Sequence, residues 1–139
     1  MFTEIINPRF NETDALGHIN NNVYTIWFDL CRQPFLKLFD PTLDPKNMHM
    51  ILAHTSTDFL REVFYGKDVI VETALEKVGI SSMHFIHGLY QNGQLCTTGK
   101  GVMIYFNHIT KESMPIPQNI KDELMHHIKT TNWDRTLNL

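Results

Sequence analysis

The sequence predicts an α+β domain in which a curved antiparallel sheet wraps around one long central helix. Over residues 23–39 apolar side chains cover most of a helical circumference, and at about 100° per residue Thr25, Asp29, Arg32, Gln33 and Lys37 fall on one narrow polar side. A surface helix shows the opposite balance, so this one calls for an enclosing partner. From about Met50 onward the pattern changes to four segments of strand periodicity separated by turn residues, enough strand to supply that enclosure.

Taken in order, the chain opens with a strand over 2–10. It is interrupted by Pro8, whose missing N–H places it at a sheet edge or a bulge. A polar loop follows with Glu12, Asp14 and His18, and then an asparagine cluster at Asn20, Asn21 and Asn22. Gly17 permits a sharp turn, and Asn20 or Asn21 can cap the helix, because an Asn carbonyl accepts from the N–H groups that a first turn leaves unbonded. Pro34 removes a helical hydrogen bond at a cost of about 3 kcal/mol, so a kink or an early end of regular helix is expected there. Asp40-Pro41-Thr42-Leu43-Asp44-Pro45 then terminates the segment.

Strands are expected over 50–60, 69–78, 82–90 and 95–106. Phe64-Tyr65-Gly66-Lys67 reads as a turn, and Gly79 breaks the second strand from the third. Asn92-Gly93 is a strong hairpin signal, since a type I′ turn needs positive φ at both central residues. Gly99 and Gly101 inside the last strand mark places where another element approaches the backbone closely. A helix over 118–128 follows Pro115 and Pro117, and the tail over 130–139 is expected to be loosely held. The 139 residues thus form one domain with its core over 1–129, without internal repeats or low-complexity segments.

Composition narrows the classes of function. With 42% apolar and 19% charged residues the usage is that of a globular domain, and a net charge of −3 gives no basic footprint for nucleic acid. The N-terminal residues lack the basic and apolar regions of a signal peptide, and no run approaches the ~20 apolar residues of a membrane span, so a cytoplasmic protein without membrane partners is expected. Cys31 and Cys96 sit in apolar patterns and read as buried reduced thiols, with no disulfide framework. No metal is indicated: His84 and His87 fall on opposite faces of a strand, and His126 and His127 are adjacent on a helix. There is no G-x-S-x-G elbow and no phosphate loop.

Chemistry therefore concentrates at the loop that enters the long helix. Unbonded N–H groups and the positive end of the helix dipole beside Asp14 and His18 suit a carbonyl oxygen or a developing oxyanion. The block Glu12-Thr13-Asp14-Ala15-Leu16-Gly17-His18-Ile19-Asn20-Asn21, followed by Val23-Tyr24 and Phe28, resembles the signature of hotdog-fold thioesterases of the 4-hydroxybenzoyl-CoA thioesterase-like family. That signature runs roughly (D/E)-T-D-x-x-G-H-V-N-N-x-x-Y. Weaker similarity continues through Asp58-Phe59-Leu60-Arg61 and Tyr65-Gly66-Lys67-Asp68-Val69 to the last strand.

The resemblance implies a hotdog fold whose subunits pair edge to edge, as a homodimer or homotetramer, with active sites at the subunit boundary. It implies an acyl-CoA thioesterase that releases free acid and coenzyme A without a cofactor, the substrate being an acyl-CoA or an acyl-carrier-protein thioester. Carried onto this chain, Asp14 is the catalytic carboxylate, acting as nucleophile or as base for water, and the backbone N–H of Asn21 polarises the thioester carbonyl. Some relatives use the histidine at the position of His18 beside the aspartate. Gly17, Asn20 and Tyr24 complete the expected substrate-binding set.

The residues alone leave plainer readings beside these. Asp14 could serve only as the acceptor of an Asx-turn, His18 could only pack and hydrogen-bond in the loop, and Glu12 reads as a loop-structuring group. Tyr24, Trp27, Phe28 and Tyr65 could line a pocket or fill the core, and Arg61 could contact pantetheine or phosphate. Two other functions share the architecture: a non-catalytic acyl-thioester binding module, which would need no competent carboxylate, and a hydratase or dehydratase, which places its Asp/His pair differently.

Overall fold

A computed structural model of the chain describes residues 1–129; the tail over 130–139 lies outside the described residues. The elements in order are β1 (Phe2–Ile6), α1 (Val23–Leu36), β2 (Met50–Phe59), β3 (Val69–Val78), β4 (Ser82–Gln91), β5 (Gln94–Asn107), β6 (Glu112–Ser113) and α2 (Gln118–Met125). They build one antiparallel sheet in the order β1-β3-β4-β5-β2, with the short β6 paired to β5. Bulges interrupt the β3–β4, β4–β5 and β2–β5 ladders, and each adds the local bend and twist by which a sheet curves around a helix. The β4–β5 hairpin turns at Asn92 and Gly93 with φ of +54° and +73°, the conformation expected of a type I′ turn.

Helix α1 lies in the concavity. Its residues alternate in pairs: Val23 and Tyr24, Trp27 and Phe28, Cys31 and Arg32, then Phe35 are buried, whereas Thr25, Ile26, Asp29, Leu30 and Gln33 face outward. Two expectations are corrected here. Arg32, assigned to the polar side, is only 2% exposed, because it stands one turn from both Phe28 and Phe35 and is carried inward with them. Conversely Ile26 and Leu30 are 61% and 44% exposed, since the sheet of a single chain covers only one side of the helix. Cys31 and Cys96 are free and buried, and burial pushes the Cys31 thiol up to about 12.

Element ends also differ from the periodicity, each for a local reason. Strand β1 stops at Ile6 rather than running to residue 10, and beyond Pro8 the chain makes a 3₁₀ turn closed by the Glu12 N–H donating to the Arg9 carbonyl. Helix α1 ends two residues after Pro34, where Leu38 and Phe39 donate to the carbonyls of Phe35 and Leu36 in a tightened last turn. Helix α2 ends at Met125 because the following backbone is drawn onto β3: Leu75 donates to His127 O at 3.0 Å and Lys129 donates to Leu75 O at 2.9 Å.

The seat of α1 depends on two close approaches. A Cβ at Gly99 would lie 2.5 Å from the Phe28 ring, and one at Gly101 would lie 3.0 Å from Arg32 Nη1, so both glycines are where the helix touches the sheet backbone. Beneath the helix runs a polar thread. Arg32 Nη1 lies 3.3 Å from His87 Nε2, and His87 Nδ1 lies 2.8 Å from Thr73 Oγ1. Arginine has only donors, so His87 accepts at Nε2 and its Nδ1–H donates to the threonine. Burial, and secondarily the Arg32 charge, lower the His87 pKa to about 3, so it is the neutral imidazole that is folded into the core.

Two outcomes follow from this packing. Gly99→Ala should lower stability by about 1–3 kcal/mol, read as a shifted urea midpoint, because the Phe28 ring it would meet is already close-packed. For His87 the unfolded state binds the extra proton, so stability falls as pH drops from about 6.5 toward about 3, by roughly 1.4 kcal/mol per pH unit. His87→Gln retains an acceptor for Arg32 and removes the titrating group; its stability should depend on pH less steeply in that window, and identical acid limbs would assign the proton elsewhere.

Candidate active site

The site is assembled from the loop entering α1 and the segment leaving β2. Asp14 organises the loop. Its Oδ1 accepts the N–H of Leu16 at 2.8 Å and of His18 at 3.1 Å, while its own N–H donates to the His18 carbonyl at 2.8 Å. This is the Asx-turn geometry, completed by Gly17 at φ +78°, where a side chain would be strained. Oδ2 meets no protein donor among the described residues. The carboxylate is thus half anchor and half free.

Both ends of the loop are tied down. Glu12 is buried and accepts from the Arg9 N–H at 2.7 Å, the Arg9 guanidinium at 3.3 Å and Trp27 Nε1–H at 2.9 Å. Burial alone would raise its pKa, but these hydrogen bonds outweigh it and the carboxyl is held below its ordinary value. The loop-structuring reading of Glu12 therefore extends to a direct tie onto α1. On the other side, Ile19 donates to Val63 O at 2.9 Å and Tyr65 to Gly17 O at 3.3 Å, so the loop lies along residues 63–65. Gln91, buried at the end of β4, holds that segment by accepting the Phe64 N–H and donating to the carbonyls of Phe64 and Lys67.

At the helix start, the Asn20 side chain accepts the Asn22 N–H at 3.0 Å and the Asn20 carbonyl accepts the Val23 N–H at 2.9 Å. Asn22 takes the capping position without a side-chain cap bond of its own. The Asn21 N–H donates to no protein acceptor among the described residues. It is a free donor at the positive end of α1.

Asp14, His18, Asn21 and Tyr24 meet in one open cleft of about 280 Å³, whose opposite wall is Phe59, Leu60, Arg61, Glu62 and Val63. Gly17 and Asn20 do not line it; they shape the loop and the helix start from behind. Tyr24 is packed edge-on against Phe59 and Trp27, and burial raises its phenol to about 12, which keeps it neutral. Trp27 and Phe28 went to the core, and Tyr65 is half exposed. The His18 ring stands edge-on to Phe64, with Nε2 at 3.6 Å from Glu62 Oε1, and makes no hydrogen bond with the Asp14 carboxylate. Arg61 is held by donating Nη1–H to Leu95 O at 2.7 Å. Sequence reasoning missed Glu62, Val63 and Gln91: a segment with no periodicity and a lone glutamine before a turn carry no local signal.

The arrangement places a free carboxylate oxygen and a free backbone donor on the same cleft, which suits attack on a polarised carbonyl. Among the described residues no group of three or more His, Cys, Asp or Glu is placed to hold a metal ion, and no helix is long and apolar enough to cross a membrane.

An antiparallel sheet curved around a helix in this way is the hotdog fold of thioester hydrolases. The chain belongs to the thioesterase-like superfamily, whose family model matches residues 8–124. It is similar to a predicted thioesterase from Bacillus stearothermophilus, with 37% identity, a TM-score of 0.91 and coverage of 94% of this chain and 98% of that one. A thioesterase from Thermus thermophilus, complexed with coenzyme A and Zn, is 27% identical, with a TM-score of 0.78 over 88% of this chain and 95% of that one. The uncharacterized protein YsmA of Bacillus subtilis (strain 168) is 28% identical over 127 residues, 90% of this chain and 86% of its own.

Proposed function

We propose that this protein hydrolyses an acyl-CoA to the free acid and coenzyme A, with Asp14 as nucleophile or general base and the Asn21 N–H as the donor to the carbonyl oxygen. The observation that carries this reading is the shared cleft of Asp14 and Asn21, where Oδ2 and the backbone N–H are both without protein partners among the described residues. With Asp14 as base, it takes a proton from water as the oxygen bonds to the thioester carbon, and the negative charge that develops on the carbonyl oxygen meets the Asn21 N–H and the helix end. The C–S bond then breaks, the thiolate recovers the proton, and acid and thiol leave. His18 contributes its N–H to the fixed oxygen of Asp14, and its ring borders the space for water or leaving group. The relative solved with coenzyme A supports CoA as the leaving group.

Asp14→Asn separates chemistry from architecture, because the amide keeps an oxygen for the Leu16 and His18 N–H groups and loses the charge. The variant should fold and bind acyl-CoA while kcat falls on the order of 10²-fold or more, measured by free-thiol release. Full turnover in the folded variant would refute the assignment, and wild type that binds acyl-CoA without ever turning it over would be a binding module instead.

We also propose that the working form is a homodimer or homotetramer. The support is the pair Ile26 and Leu30, exposed on the outer side of α1, together with β2 at the sheet edge, a ten-residue strand paired only to β5 among the described residues. Light scattering at micromolar concentration should give a mass of two or four chains; a single-chain mass would reject it.

A further inference from the structure

We propose that Glu62 is a positioning residue for the thioester reaction: it anchors His18 through Nε2 and so presents Nδ1 to the attacking water beside Asp14. The inference rests on the thioesterase reading and concerns a residue on the opposite wall of the same cleft. Glu62 Oε1 lies 3.6 Å from His18 Nε2, and neither side chain has another polar partner among the described residues. The loop entering α1 carries His18 and the segment leaving β2 carries Glu62; the backbone bridge between His18 and Phe64 ties the two together beside this pair. The Phe64 ring stands edge-on to the imidazole at a centroid distance of 5.0 Å and walls off one side of it. Of the other charged groups on the cleft, Asp14 is bonded to the loop N–H groups and Arg61 donates to the Leu95 carbonyl, so Glu62 is the acceptor that faces the ring.

The two nitrogens of a histidine are not equivalent, and the partner of one sets what the other can do. A carboxylate only accepts, so Nε2 carries the proton of the neutral ring and Nδ1 is left as a lone-pair acceptor. Nδ1 is also the ring nitrogen nearer the backbone, and the His18 N–H is itself bonded to Asp14 Oδ1 at 3.1 Å. Four bonds separate Nδ1 from that backbone nitrogen, so it lies no more than about 8 Å from Oδ1, and the angle of the ring decides whether this falls to the roughly 5.5 Å that one water bridges. Glu62 sets that angle. Water held by Asp14 Oδ2 and Nδ1 has both hydrogens engaged and a lone pair free for the thioester carbon, whose oxygen is received by the Asn21 N–H. As the water oxygen bonds to that carbon one proton passes to Oδ2, the C–S bond breaks, and the thiolate takes the proton from Asp14; the second hydrogen leaves with the acid. His18 gains no proton in this sequence; it aims the water, and Glu62 aims His18. The 3.6 Å separation is an ion contact, longer than a hydrogen bond, and the Glu62 side chain, 65% exposed, is free to close on the ring when substrate enters. Exposed pairs of this kind add little to stability, so loss of the carboxylate should leave the fold intact.

The test measures thiol release from butanoyl-, decanoyl- and benzoyl-CoA by wild type, Glu62→Ala, Glu62→Gln, His18→Ala and the double variant of Glu62→Ala with His18→Ala. On the best substrate Glu62→Ala should lose about tenfold in kcat, with KM within about twofold of wild type. Glu62→Gln keeps an oxygen that accepts from Nε2–H, so its kcat should stay within about threefold of wild type. In the His18→Ala background the Glu62→Ala change should cost nothing more, because its effect runs through the imidazole. Unchanged kcat in Glu62→Ala, an equal loss with and without His18, or a Glu62→Gln variant as impaired as Glu62→Ala overturns the proposal. Imidazole nitrogen NMR shifts of the neutral ring, recorded at alkaline pH, read the same contact without turnover. His18 should be protonated at Nε2 alone in wild type and Glu62→Gln, while Glu62→Ala should show a measurable share of the Nδ1-protonated form. An identical tautomer mixture in the three proteins overturns the proposal even if His18→Ala fails to fold. Wild type that hydrolyses none of the three thioesters counts instead against the thioesterase reading, and the nitrogen shifts still decide whether Glu62 sets His18.

Discussion

The contact of Phe28 with the bare backbone of Gly99 is the constraint on which the rest of the molecule depends. The ring lies where any Cβ at that position would stand, and it stacks on His87 at a centroid distance of 4.5 Å and an interplanar angle of 13°. This brings the helix as near to the sheet as backbone and ring allow. It also fixes the rotation of α1, and so which residues of each turn face the sheet. Because Arg32 shares the arc of Phe28 and Phe35, the rotation that buries the aromatic residues buries the guanidinium as well.

From that seat the geometry of the candidate site follows by short covalent and hydrogen-bonded steps. Trp27 is the preceding residue of the helix, and its indole N–H holds Glu12, which in turn fixes Arg9 and the start of the loop. The loop is closed on itself by Asp14 and against the 63–65 segment by backbone hydrogen bonds, so the carboxylate, the helix end and the opposite wall are all referred to the same helix. Such a chain of satisfied polar groups is what allows a site on a loop to keep a fixed geometry.

Polar groups beneath the helix show the same economy with a different purpose. His87 is taken into the core as the neutral tautomer that accepts from Arg32 and donates to Thr73, which satisfies the imidazole completely. Arg32 keeps a buried Nε–H that meets no acceptor among the described residues. One member of the pair is saturated and the other is not.

By itself the sequence determined the sheet-and-helix architecture, the type I′ turn at Asn92-Gly93, the close approach at Gly99 and Gly101, and the gathering of Asp14, His18 and Asn21 at the entry to the helix. These are legible because each rests on local requirements: period, positive φ, a missing Cβ, an acceptor two residues from an N–H. Asp14 as Asx-turn acceptor and Asp14 as cleft carboxylate, set against each other at first, prove compatible, since one oxygen is bonded and the other is not. Tertiary structure alone decided that Arg32 goes inside while Ile26 and Leu30 stay outside, and that Glu62 and Val63 face Asp14 across the cleft. Helical periodicity ranks faces by polarity, but the sheet covers only one side of α1, and which side is settled by the best-packed aromatic residues rather than by the most apolar arc.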